Sequence, residues 1–298
     1  MAAVAGIGGV GGMLPAGSGG VGGVGGAGVG GQSGVAGTMA TGGMGGVGGG
    51  TGGTGGTGGA GGDPQMSSGC GTSPPSTDTS IEVDSQMGAY ILDLPADYDN
   101  TRAYPLLFAW HGANVSNTNF HDYLNFKSAV GNEAIIVTPE CLDGGSSWPT
   151  TMDYFDAMLE HFKSSYCIDA SRVFTAGHSM GGFWTGRLGC ERGDVLRGNA
   201  VLAASHPTGA CAGDGTMAAM FSVGDSDFVV ANPESEEEYW AGTNGCDATM
   251  STPVAAAPDC VEYSGCAADA PVRTCSFSGG HEIPSWTAAA VWDFFKNL

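Results

Sequence analysis

From residue 88 onward the chain alternates short apolar runs with amphipathic or polar stretches. Residues 88–94 read as a strand closed by Pro95, and residues 104–110 (Tyr-Pro-Leu-Leu-Phe-Ala-Trp) are apolar throughout. A continuous run of that length suits a parallel strand buried on both faces. Residues 134–139, 172–176, 199–204, 218–223 and 272–277 repeat the pattern. Between them, Phe155, Met158, Leu159 and Phe162 fall on one face of a helix over 153–165. A helix continues from Phe183, and another closes the chain over 285–295, with Ser285 as candidate N-cap. Strands alternating with helices predict an α/β fold: a mostly parallel sheet with helices on both faces.

Composition divides the chain at about residue 75. Residues 1–75 are mostly Gly, Ala, Val, Thr and Ser, with no Lys, Arg or aromatic residue. Such a stretch buries too little apolar surface to offset the entropy of ordering its glycines. It reads as a disordered tether preceding one α/β domain at 76–298. The net charge of -21 opposes nucleic acid and anionic membrane surfaces as partners. No apolar run is long enough to span a bilayer.

Of nine cysteines, none are spaced C-x-x-C, so a zinc site is not expected. Eight of them in one domain predict disulfides and an oxidising, extracytoplasmic compartment. No positively charged signal-peptide start is visible at Met1-Ala2-Ala3-Val4. Cys260 and Cys266 are the closest pair and a candidate hairpin bridge; Cys70 is the expected odd thiol.

Chemistry enters at Gly177-His178-Ser179-Met180-Gly181-Gly182, between a strand and a helix. That is the setting of a nucleophile elbow, where a tight turn exposes the serine hydroxyl. A serine needs a base, and the base needs an orienting acid. Asp227 follows the strand at 218–223, with Asp225 as rival, and His281 sits in a Gly-rich loop before the last helix. Ser179, Asp227 and His281 keep the chain order of α/β-hydrolases. His178 adjoins the nucleophile and reads as a packing residue, and His111 as a loop-fixing one. His121, His161 and His206 read as surface residues. The oxyanion donors expected are the N–H groups of Met180 and Ala113, with Asn114 as second choice and a candidate substrate contact. Trp148 is a candidate aromatic wall near the serine. No metal or cofactor is expected.

From about Gly88 to the end, the chain resembles the secreted feruloyl esterase and polyhydroxybutyrate depolymerase-like branch of the α/β-hydrolases. The resemblance rests on residues 104–112, Tyr166-Cys-Ile-Asp-Ala-Ser-Arg-Val173, the elbow, Gly224-x-x-Asp227-x-x-Val230, Asn244-Gly-Cys246, Tyr263-Ser-Gly-Cys266 and Gly279-Gly-His281. It implies a serine carboxylesterase acting on extracellular esters, with Ser179, Asp227 and His281 as its triad. Members often carry Pro after the acid, where Phe228 stands here. The expected activity is release of hydroxycinnamoyl or acetyl groups from plant polysaccharide by a monomer. The alternatives are a short-chain polyester depolymerase, a peptidase and a non-catalytic binding module on the same fold.

Overall fold

The computed structural model describes residues 64–75, 79–83, 86–142, 147–149, 151–206, 211, 215–230 and 234–298. Residues 1–63 of the expected tether lie outside them. Among the described residues the ten strands are β1 (Ser80–Val83), β2 (Gln86–Asp93), β3 (Tyr104–Trp110), β4 (Ile135–Pro139), β5 (Ile168–His178), β6 (Gly198–Leu202), β7 (Ala218–Gly224), β8 (Asp247–Val254), β9 (Ala257–Ser264) and β10 (Val272–Phe277). The helices are α1 (Asn117–Leu124), α2 (Phe126–Val130), α3 (Asp153–Ser165), α4 (Met180–Glu191), α5 (Glu234–Thr243) and α6 (Thr287–Phe295).

The strands form one sheet in the order β1-β2-β4-β3-β5-β6-β7-β10-β9-β8. The six from β4 to β10 are parallel, while β1, β2, β9 and β8 extend the two edges antiparallel. In β3, Leu106, Phe108 and Trp110 enter one core, with Phe155, Met158 and Phe162 of α3 and Trp184 of α4. Leu107 and Ala109 enter the other, with Phe174, Val291 and Phe295. Both faces are therefore covered, which is why the run at 104–110 is apolar rather than alternating. Strand β5 starts four residues before the expected 172, because Ile168 pairs with Tyr104 ahead of a register shift.

Two expectations about the N-terminal stretch and the cysteines are corrected. Residues just before 76 pack onto the domain. Ser67 is buried; its hydroxyl donates to Tyr166 O (2.7 Å), its N–H to Ile168 O (2.9 Å), and Gly69 N–H to Lys163 O (2.8 Å). Cys70 is not an odd thiol: it is bonded to Cys167. The structured unit therefore includes Cys70, and a boundary at 75 is too late. The remaining bonds are Cys190–Cys211, Cys246–Cys266 and Cys260–Cys275. The bridge expected between Cys260 and Cys266 does not form, because Cys260 lies opposite Cys275 in the β9–β10 ladder. Cys141 is buried and outside the disulfides. No described helix is long and apolar enough to cross a membrane.

Candidate active site

Strand β5 ends at His178 and helix α4 begins at Met180, leaving Ser179 alone in the turn. Its φ of 55° and ψ of -119° lie where L residues rarely go. Such a conformation costs on the order of 1–3 kcal/mol and persists only where neighbours enforce it. Here the Ser179 N–H donates to Leu202 O (2.9 Å) and its carbonyl accepts from Phe183 N–H (2.9 Å). The flanking glycines are required by contact: a Cβ on Gly177 would collide with Gly181 O, and one on Gly181 with Trp110 O.

The Ser179 hydroxyl is 2.7 Å from His281 Nε2. On the other side of the ring, Nδ1 is 2.8 Å from Asp227 Oδ2, and the Asp227 side chain is fully buried. The second Asp227 oxygen accepts from Val229 N–H at 2.9 Å, fixing the carboxylate. Asp225 is placed differently. Its Oδ1 accepts from Gly279 N–H at 3.3 Å, tying the histidine loop to β7. The structure thus brings together Ser179, His281 and Asp227, which arrive after β5, β10 and β7.

His178 packs beside His281, ring centroids 5.2 Å apart. Burial, then the proximity of His281, pushes its pKa down to about 4, so it is neutral at neutral pH. Met180 opens α4, so its N–H has no partner within the helix. Gly112 crosses directly over the serine: a Cβ there would stand 3.3 Å from Ser179 Cβ. Ala113 follows it, exposed; Asn114 is exposed with φ of 59°.

A cavity of about 460 Å³ opens beside the serine, lined by Gly112, Val115, Phe120, Tyr123, His281 and Ile283, among others. Its aromatic wall comes from α1, where Tyr123 donates its hydroxyl to Ile283 O at 2.9 Å across the mouth. The segment Asn-Thr-Asn-Phe-His-Asp-Tyr-Leu is too polar to announce a helix by periodicity; the Ser116 N-cap was the available signal. Trp148, the expected wall, does not line this cavity. It is buried, edge-on to Trp110, with its indole N–H donating to His111 O at 3.1 Å.

Two other imidazoles are partnered: His121 bonds Asp93 at 2.7 Å and His161 bonds the Tyr90 hydroxyl at 3.1 Å. At His206 it is the backbone N–H that donates, to Glu236 Oε2 at 2.6 Å. The donors of His111, Glu140 and Cys141 converge within 4.8 Å of one another, the one such cluster among the described residues. Both Glu140 oxygens already accept backbone N–H groups, from Cys141 at 3.1 Å and Asn117 at 3.0 Å.

The sheet order, the strained serine between strand and helix, and the covered faces define an α/β-hydrolase fold. Solved structures agree at the level of fold. An acetyl xylan esterase from Aspergillus awamori superposes with a TM-score of 0.56 at 13% identity, covering 80% of this chain and 100% of that one. The feruloyl esterase module from Clostridium thermocellum, complexed with sinapinate, gives 0.54 at 14%, covering 78% and 91%. By sequence the chain is homologous to feruloyl esterases. It is 28% identical to the probable feruloyl esterase C of Aspergillus niger and 27% identical to feruloyl esterase C of Emericella nidulans. Each match covers 77% of this chain and 90% of the relative. No family profile matches the chain.

Proposed function

We propose that this chain is a secreted serine carboxylesterase that releases hydroxycinnamoyl groups from plant polysaccharide, with Ser179, His281 and Asp227 as its triad. The observation that carries the reading is the Ser179–His281–Asp227 hydrogen-bond chain beside an aromatic-walled cavity. The names of the homologous proteins support the acyl group, and four disulfides support an oxidising, extracellular setting.

In this reading His281 Nε2 takes the Ser179 proton as Oγ attacks the ester carbonyl. Asp227 holds the ring so that Nε2 faces the serine and stabilises the imidazolium. The tetrahedral oxyanion is received by the N–H groups of Met180 and Ala113. One such donor is worth about 2.7–4 kcal/mol. As the intermediate collapses, His281 gives its proton to the departing sugar oxygen and the acyl group stays on Ser179. Water, deprotonated by His281, then attacks the acyl-enzyme; the bond to Ser179 Oγ breaks, His281 returns the proton to that oxygen, and carboxylic acid leaves.

An acetyl group would leave most of a cavity of about 460 Å³ unfilled, whereas a phenylpropenoyl group has a planar ring for Phe120 and Tyr123 to hold. Initial rates on methyl ferulate, acetylated xylan and polyhydroxybutyrate test the reading. Methyl ferulate is expected to be hydrolysed fastest; preference for either of the others would reassign the substrate. Failure of the folded chain to react with an organophosphonate would favour a non-catalytic binding module.

A further inference from the structure

The Ala113 N–H belongs to a peptide unit whose other half is the Gly112 carbonyl. A trans peptide points its C=O and N–H in opposite directions, so whatever grips one aims the other. His111 Nδ1 lies 2.8 Å from Gly112 O. A carbonyl oxygen only accepts, so this contact is attractive only while Nδ1 carries the proton. The His111 side chain is wholly buried, and its far nitrogen, Nε2, faces Glu140 Oε1 at 2.8 Å. That approach is close but off the N–H axis. Glu140 is itself fixed by the Asn117 and Cys141 N–H groups, and Trp148 anchors the His111 carbonyl.

We propose that Glu140 and His111 form an orientation lock on the Gly112–Ala113 peptide, keeping the Ala113 N–H aimed at the oxyanion. Both are positioning residues and neither touches substrate. Glu140 Oε1 backs the buried ring at Nε2, so that Nδ1 stays against Gly112 O. Without that backing the ring is free to turn. The contact with Gly112 O then loosens, and a flipped peptide, with its carbonyl turned toward the serine, becomes competitive. The convergence of His111, Glu140 and Cys141 then needs no metal to explain it.

This inference rests on the proposed esterase reading. The test uses the full chain with Glu140→Ala, Glu140→Gln, His111→Asn and His111→Gln. Each variant is assayed for kcat and KM on methyl ferulate and for inhibition by phenylboronic acid, which forms a tetrahedral adduct on serine. Glu140→Gln keeps a polar group able to donate to Nε2, and His111→Asn keeps an N–H donor near the Nδ1 position. Both are expected to retain most activity. Glu140→Ala and His111→Gln remove the enforced donor and are expected to lose about 10²-fold in kcat, the scale of one oxyanion donor, with KM little changed. Boronate affinity should fall in parallel. Folded Glu140→Ala with wild-type kcat, or a kcat loss without a loss of boronate affinity, overturns the lock. If Glu140→Ala does not fold, the histidine pair decides, and equal activity of His111→Asn and His111→Gln overturns it. An unreactive wild-type chain would instead refute the esterase reading; an active one, silenced by Ser179→Ala but indifferent to Glu140, refutes the lock alone.

Discussion

The two sides of Ser179 are built differently. On the histidine side, two side-chain hydrogen bonds of 2.7 and 2.8 Å join residues from three loops. On the side of the proposed oxyanion donors, the Gly112 backbone crosses the serine, and His111 contacts Gly112 O, Glu140 and Trp148. Side chains that do chemistry restrict residue type; backbone groups restrict only the conformation. In the proposed mechanism, a substitution on the histidine side therefore removes a reacting group, while one on the oxyanion side changes only an angle.

The largest effect that tests this contrast is Ser179→Ala. Loss of ester hydrolysis approaching about 10⁶ in kcat is expected, with the fold retained because the glycines shape the elbow. Normal turnover in the folded variant would reject the assignment. Next, Asp227→Asn should cost on the order of 10⁴ in kcat, the scale of the same acid-to-amide change in a serine-protease triad. Asp225→Asn, which disturbs the contacts with Gly279 N–H and the Ser226 hydroxyl, should cost far less; the reverse ranking would move the acid to Asp225.

Away from both sides, stability should respond where activity does not. Cys70→Ser opens a bond spanning 97 residues and is expected to cost about 2–5 kcal/mol in urea unfolding. Deleting residues 1–63 should leave kcat and Tm nearly unchanged, whereas deletion to 75 should lower Tm; equal Tm values would place the domain start after Cys70.

Glu236 supplies a pH-dependent control. It is wholly buried, with one oxygen accepting from His206 N–H, and burial raises its pKa to about 8 from 4.5. The folded state then binds one more proton than the unfolded state between those values. The stabilisation is fully present below pH 4.5 and is lost as pH rises to about 8. Glu236→Gln should remove that dependence, by up to a few kcal/mol across the window. Unchanged slopes of unfolding free energy against pH would show that Glu236 is ionised in the fold. The smallest effect expected is that of EDTA, which should leave kcat unchanged. A loss restored by a divalent cation would make the His111–Glu140–Cys141 cluster a metal site.

How much was legible in advance varies by element. Helix α3 and strands β3 and β10 were readable because their side chains meet one environment per face, so periodicity records burial. Strand β8 is exposed along seven of its eight residues and carries no such record. Helix α5 buries Glu236 beside Trp240 within an acidic run, so its polarity misreports its packing. The pocket wall was missed for the same reason in α1.

By itself the sequence determined the alternation of strands and helices, the glycine-framed turn at Ser179, and the order of Ser179, Asp227 and His281. Each depends on residues near one another in the chain or on a side chain that nothing else replaces. Only the tertiary structure decided that Cys70 meets Cys167 and Cys260 meets Cys275, that Trp148 backs the loop rather than lining the cavity, and that Asp227 reaches His281 while Asp225 holds Gly279. The reason is physical. Those contacts depend on which strands lie side by side and on the direction of each Cβ, and sheet order and register exist only once distant segments have packed.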